Sequence, residues 1–518
     1  MSLRSQSAVF DAVFAAYPHL LPEPLRPAEQ RLGIDPASLT RDELAGLVQA
    51  ERWQPWTEAL QRVGNCARPI LLRGRSERIE VATGEIVSTY TSAQEPLGVT
   101  HLRCGNRRAS VCPACSRLYA GDTFQLIRAG VVGGKTVPSR VVDNPLVFAT
   151  LTAPSFGKVH GRRDHTGRCH PTTRGPATCK HGLPRTCTTR HQDGDELLGQ
   201  PLCPDCYDYA SQLVWQWWAP ALWRRFTIAL RRSLAKDLRI AATRLNTAAT
   251  VQYAKVGELQ ARGAIHYHAL IRLDGPKTDE GFAPAPAGID AARLAQHVQR
   301  VARAVRLTVP GVDDQDPARV LAFGAQVEVR PITSHRRTDH PDRGLTAEQV
   351  AGYLAKYATK SAGDDHTQDR DAHHRRIKAV ARTLARRAQD SGDPDSPYRL
   401  MGRWVHEYGY RGHFATKSRR FSITLGALRR ARQRAQALLA DANTDGRTID
   451  LAALEADLLA DDDLDTTIVI GHWSYAGTGW NSDAETTLAL AAAARAREYD
   501  QWKAEQRRKL ENTRKGNQ

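Results

Sequence analysis

Two histidines separated by one residue, His266 and His268, stand in the apolar, strand-like run "GAIHYHALIRLD". In a strand, residues i and i+2 point to the same face, so the two imidazoles would stand side by side. The preceding "ELQARGA" reads as a hairpin turn, a three-residue loop with Gly263 in the left-handed conformation. That loop pairs Gln260 with Ala264, and so sets Glu258 opposite His266 and Val256 opposite His268. Two imidazoles and a carboxylate on one sheet face could hold a divalent cation with positions left open for substrate. The same three residues would equally suit a hydrated sheet face. Gln326 and Glu328, on a later strand, are alternative third ligands.

A second group offers a nucleophile. "TAEQVAGYLAKYATKSAG" starts with Thr346 as an N-cap and Glu348 as early negative charge. Tyr353 and Tyr357 are four apart and share a helix face, and Lys356 and Lys360 each follow a tyrosine by three residues. Such tyrosines are often packing contacts. Beside a cation site they acquire another use, because a phenol oxygen can attack a phosphodiester. The cation and the lysines would then oppose the charge that develops on the phosphate.

The cysteines point to metal of another kind. His101, Cys104, Cys112 and Cys115 have the ligand types of a structural Zn2+ site, and Cys179, Cys187, Cys203 and Cys206 form a second group. Cys169, His170 and His181 are spare candidates nearby. Each group can close its own coordination shell, so its role would be scaffolding. Residues 158–206 have little apolar periodicity, and a bound metal is the expected organiser of that stretch.

The elements that must position these groups follow from the pattern. A chain of 518 residues is too long for one core. With 73 basic and 56 acidic residues the net charge is +17, which suits a polyanionic partner. No apolar run approaches the length of a membrane span. The N-terminal stretch reads as an amphipathic helix ended by prolines, with Asp11 interrupting any signal-peptide core. The chain is therefore expected in the cytoplasm with reduced cysteines. "NPLVFATLTAP" is a buried strand, and "YDYASQLVWQWWAPALWRRFTIALRRSLA" is an aromatic-rich helix. Residues 290–307 read as a helix and 323–332 as a strand. Near the C-terminal side, "RGHFATKSRRFSIT" is basic: Arg411, Lys417, Arg419 and Arg420 suit phosphates, and Phe414 and Phe421 suit base stacking.

As an ordered set these segments resemble a known family. "VFATLTAP", "IHYHALI" and "YLAKYATK" resemble the three motifs of HUH endonucleases. Together with "CGNRRASVCPACS", "LCPDCYDY" and "GYRGHFATKSRRFSITLG", they resemble the RepSA-like rolling-circle replication initiators of actinobacterial plasmids and integrative elements. The likeness runs from about residue 100 to 430. It implies an α+β fold: an HUH nuclease core, a central antiparallel sheet with helices on one side, carrying zinc-binding insertions between helical N- and C-terminal regions. The implied division is a helical region 1–65, a zinc-binding β module 66–135, the core 140–365 with its insertion 158–206, a basic DNA-contacting module 395–440, and a helical, partly disordered 441–518.

The implied activity is nicking of one strand at a double-strand origin with Mg2+ or Mn2+, giving a 5′-phosphotyrosine, a free 3′-OH primer and later rejoining. His266 and His268 carry over as ligands, and Tyr353 and Tyr357 as nucleophiles, with Tyr357 preferred. Host helicase and polymerase are expected partners, and a membrane is not. A relaxase or transposase would use the same chemistry. A zinc-dependent DNA-binding regulator without catalysis would share the cysteines and the charge.

Overall fold

A computed structural model describes residues 49–135, 137–162, 167–172, 174–278, 281–332, 371–445 and 467–516, together with residues 46, 352 and 354. In chain order the elements begin with α1 (Trp53–Arg62), β1 (Ile70–Glu80), β2 (Ile86–Thr91), β3 (Thr100–Leu102), α2 (Pro113–Val132) and β4 (Leu146–Leu151). After residues 158–206 come α3 (Tyr209–Asp237), β5 (Thr250–Leu259), β6 (Ile265–Asp274), β7 (Lys277–Thr278) and β8 (Gly281–Phe282). Then follow α4 (Ala291–Ala304), β9 (Leu307–Val309), β10 (Arg319–Leu321), β11 (Val327–Ile332), α5 (Ala372–Asp390), β12 (Ala415–Lys417), α6 (Leu425–Asp445), β13 (Thr467–Thr478) and α7 (Asp483–Gly516). No helix among the described residues is long and apolar enough to cross a membrane.

The chain divides into two units. One comprises Met1–Asp122, Ala362–Asp365 and Ala460–Gln518, and the other Thr123–Ser361 and His366–Leu459. In the first unit, β1 is the spine of an antiparallel sheet ordered β13-β1-β2, with β3 also pairing β1. β13 pairs β1 from Ile70↔Thr478 to Glu80↔Thr467. Within 441–518, expected as helical and partly disordered, Thr467–Thr478 is a strand. "TIVIGHWSYAGT" is rich in β-branched and aromatic residues and finds its ladder partner nearly four hundred residues upstream.

The second unit is built on a five-stranded antiparallel sheet ordered β11-β4-β6-β5-β12. Alternation gives it two faces. Val147, Ala149, Leu151, Tyr267, Ala269, Ile271 and Leu273 pack against the buried Trp215, Trp217, Trp223 and Phe226 of α3, and against α4 and α5. Each buried Val, Leu, Ile or Phe among them contributes about 1.5–3 kcal/mol. α3 is buried nearly all round through its first half, which explains why its sequence shows aromatic density in place of a single apolar stripe. Asp208 caps it by accepting from Ser211 N at 2.9 Å.

The opposite face holds a second cluster, in which Leu146, Phe148, Ala254, Val256, Leu270 and Ile332 pack with Ile127 and Val131 of α2, Leu354 and Phe421. Helices therefore flank both faces, which corrects the one-sided expectation. The basic segment is also part of this fold: β12 is the edge strand, pairing Ala415↔Val256 and Lys417↔Ala254, and is no separate module.

Candidate functional site

β5 and β6 are joined by a tight turn. Gly263 has φ +71°, its N–H donates to Gln260 O at 2.8 Å, and Gln260 N donates to Ala264 O at 2.9 Å. The ladder sets Glu258 opposite His266 and Val256 opposite His268, the register read from the sequence. Side chains outside the hairpin hold it in place. Buried Gln216 of α3 accepts from Ile265 N at 2.6 Å and donates to Gly263 O at 3.0 Å and Tyr408 O at 2.8 Å. Arg262 donates to the carbonyls of Ala153 and Pro154 just beyond β4.

On the face these strands present, Glu258 Oε2 lies 2.9 Å from His266 Nε2 and 3.3 Å from His268 Nε2. The two imidazole centroids are 4.4 Å apart. His268 Nδ1 is 3.2 Å from Thr150 Oγ1 on β4, and its ring stacks on Phe148 at 5.7 Å. The Nδ1···Oγ1 contact with the threonine orients the ring. Burial pushes the His268 pKa down, outweighing the pull of Glu258 in the other direction. A neutral imidazole keeps the lone pair that a metal requires. Two nitrogens and a carboxylate oxygen converge within 4.8 Å of one another, a donor set that suits a divalent cation.

The alternatives to Glu258 lie elsewhere. Glu328 is opposite Thr150, one strand beyond His268, and is exposed beside Arg330 at 3.6 Å. Gln326 is exposed, and its carbonyl accepts from Thr152. Tyr353, Lys356, Tyr357 and Lys360 lie outside the described residues. Leu354 is described, and it is fully buried in the cluster on the His266–His268 face of the sheet.

The cysteines assemble into three groups, not two. Cys66, Cys104, Cys112 and Cys115 meet in the first unit. His101 is replaced there by Cys66: its ring stacks on Trp480 with centroids 5.1 Å apart. The reason is the β1–β3 pairing, Ile70↔Leu102, which brings residues before β1 and after β3 to the same end of the sheet. The expected set Cys179, Cys187, Cys203 and Cys206 divides. Cys187 joins His160, Cys169 and His191, while Cys179, Cys203 and Cys206 gather with His181. His170 belongs to neither group, and its Nε2 is 2.8 Å from Val159 O. The missed signal was the count: nine cysteines cannot fill sites of four without histidines.

A family model described as "Replication initiator protein, pSAM2" (RepSA) matches residues 52–494. The chain belongs to this family of replication initiators. A replication initiator protein of Streptomyces ambofaciens is 40% identical over 479 residues, covering 89% of this chain and 94% of the relative. No solved structure matches.

In this initiator the basic segment is more structural than its composition promises. Lys417 donates to the carbonyls of Ser422 at 2.8 Å and Arg419 at 3.3 Å, and burial lowers its pKa to about 8. Arg411 donates to Trp217 O and lies over the Trp217 and Trp218 rings. Phe421 is fully buried under the Arg272 guanidinium, and Phe414 packs beside Tyr410. Base stacking by Phe421 is therefore corrected, because the ring is core. Arg419 and Arg420 are exposed and open to solvent.

Proposed function

We propose that this initiator is a metal-dependent, strand-specific DNA endonuclease that opens a plasmid origin by tyrosine transesterification and later rejoins the strand. The observation that carries the reading is the convergence of Glu258 Oε2, His266 Nε2 and His268 Nε2 on one face of the sheet, in a chain of the replication-initiator family. Those three atoms are the ones that would hold Mg2+ or Mn2+. Bound there, the ion supplies charge neutralisation to the non-bridging oxygens of the scissile phosphate.

The remaining steps belong to the chain itself. Thr150 and Phe148 hold His268 in one orientation. The nucleophile is the hydroxyl of Tyr357, with Tyr353 available for the second transfer when the circle closes. The tyrosine Oη–P bond forms as the P–O3′ bond breaks. The phenol gives up its proton and the departing 3′ oxygen takes one up, leaving a 5′-phosphotyrosine and a 3′-OH primer. Lys356 and Lys360 oppose the charge on the phosphate. Leu354, between the two tyrosines in sequence, is packed on the metal-site face, which supports assigning the tyrosine motif to this site. Exposed Arg419 and Arg420 and the surplus of 17 positive charges favour contact with DNA backbone, both the duplex origin and the single-stranded nick site. The 3′-OH would prime a host polymerase while a host helicase unwinds the duplex.

The test is incubation with origin single strand and Mn2+ or Mg2+, followed by a denaturing gel. A covalent protein–DNA adduct is expected, absent with EDTA. An adduct that persists in the Tyr353→Phe, Tyr357→Phe double variant would remove the tyrosine assignment.

A further inference from the structure

Residues 158–206 fold without a hydrophobic core. No Leu, Ile, Val, Phe, Trp or Tyr side chain among its described residues is buried; Cys169, His191, Pro201 and Cys203 are. Its backbone is held by isolated bridges, Val159↔Pro201, His170↔Cys187 and Thr178↔Pro184. Conformational entropy costs about 1–2 kcal/mol per ordered residue, and backbone hydrogen bonds at about 0.5–1.5 kcal/mol net each do not offset that without buried apolar side chains. Something else organises the segment.

We propose that residues 160–206 bind two zinc ions in an interleaved, cross-braced module, and that Cys66, Cys104, Cys112 and Cys115 bind a third. Along the chain the ligands come in pairs: His160 and Cys169 for the first ion, Cys179 and His181 for the second, Cys187 and His191 for the first again, Cys203 and Cys206 for the second. The two sets of loops therefore alternate along the chain, and each ion joins segments that flank a ligand pair of the other.

The donor-atom spacing is that of tetrahedral zinc. Bond lengths of 2.3 Å to sulfur and 2.0–2.1 Å to nitrogen put ligand atoms about 3.8 Å apart for S···S, about 3.6 Å for S···N and about 3.3 Å for N···N. Cys66 Sγ and Cys112 Sγ are 3.8 Å apart. His181 Nδ1 is 3.4 Å from both Cys203 Sγ and Cys206 Sγ. His191 Nε2 is 3.5 Å from Cys187 Sγ and 3.2 Å from His160 Nδ1. Groups that support the ligands are also in place. His191 Nδ1 is 2.7 Å from Asp195 Oδ2, the carboxylate–histidine pairing that orients a ligating imidazole. Backbone N–H groups of Gly161, Cys104 and Asn106 donate to the sulfurs of Cys169, Cys66 and Cys104.

The count closes as well. All nine cysteines of the chain belong to one of the three groups, and three histidines complete the sets of four. Unrelated buried thiols would not divide without remainder. The module also reaches the hairpin of the candidate metal centre. Gly199 (φ +87°) approaches the Ala261 backbone so closely that a Cβ there would lie 2.3 Å from its carbonyl carbon.

The experiment is metal analysis of the full-length protein, loaded with zinc under reducing conditions, in the His266→Ala background so that the Glu258 site is left out of the count. Three zinc ions per chain are expected, and zinc-edge X-ray absorption should give an average of about three sulfurs and one nitrogen per ion at the distances above. Two zinc ions or fewer would overturn the proposal. Cys179→Ser and Cys187→Ser should each lose one ion, and the double variant two. A double variant that loses only one would place both cysteines on a single ion and sink the cross-brace. Should these variants fail to fold, the count and the absorption spectrum of the intact protein still decide.

Discussion

Glu258 and His266 face each other across the β5–β6 ladder with Oε2 and Nε2 2.9 Å apart, and the same oxygen reaches His268 at 3.3 Å. One carboxylate oxygen thus serves two imidazoles. Glu258→Gln keeps the shape and removes the charge. Mn2+ affinity, followed by electron paramagnetic resonance, should fall by about 100-fold, and adduct formation with it. Unchanged Mn2+ binding would show that the Glu258 carboxylate is not a ligand.

Thr150 acts through His268. Thr150→Val removes the hydroxyl 3.2 Å from Nδ1 and leaves the β-branched shape, so the strand should persist. An outer-shell partner of this kind is worth about 10-fold in metal affinity. The check is a Mn2+ titration beside a thermal melt: affinity should drop while the melting temperature stays within a few degrees.

Gln216 ties α3 to the hairpin through two buried hydrogen bonds, with Ile265 N and Gly263 O, and to Tyr408 O through a third. Gln216→Leu would leave Ile265 N–H and two carbonyls without that partner, at a cost of about 1–3 kcal/mol for each group left unsatisfied. Urea unfolding should show a loss of at least about 2 kcal/mol. A neutral result would mean that water replaces the amide.

Lys255 gives a pH dependence. Its ammonium is buried on the α3 side of the sheet, 4.1 Å from the Tyr267 ring centroid and 3.4 Å from Tyr410 Oη, and burial lowers its pKa to about 7. Below that value the amine is charged in both the folded and unfolded chain, and the penalty of burying the charge is fully present. Between about pH 7 and 10.5 the unfolded chain binds the extra proton, so stability should rise by about 1.4 kcal/mol per pH unit from this group. Lys255→Met should flatten that slope and raise stability at neutral pH. Equal slopes for both proteins in urea titrations from pH 7 to 9 would refute this.

Much of the candidate site was legible because it is local. Gly263 permits the left-handed turn, the turn sets the register, and the register sets Glu258 beside His266. Cys112 with Cys115, and Cys203 with Cys206, were equally readable, since each pair sits within one tight turn. The order of motifs along the chain was enough for the family.

Other features depend on partners that no local pattern names. Cys66 reaches its group only because β1 pairs β3, and β13 finds β1 across most of the chain. Cys179 and Cys187 look like one site in sequence and belong to two groups in space, because the loop crossings decide which sulfur meets which imidazole. Phe421 reads as an exposed aromatic in a basic run, yet the end of α2 closes over it. Turn chemistry is set by the φ preferences of a few residues. The closing of long loops is set by burial summed over the whole core, and that sum exists only in the folded chain.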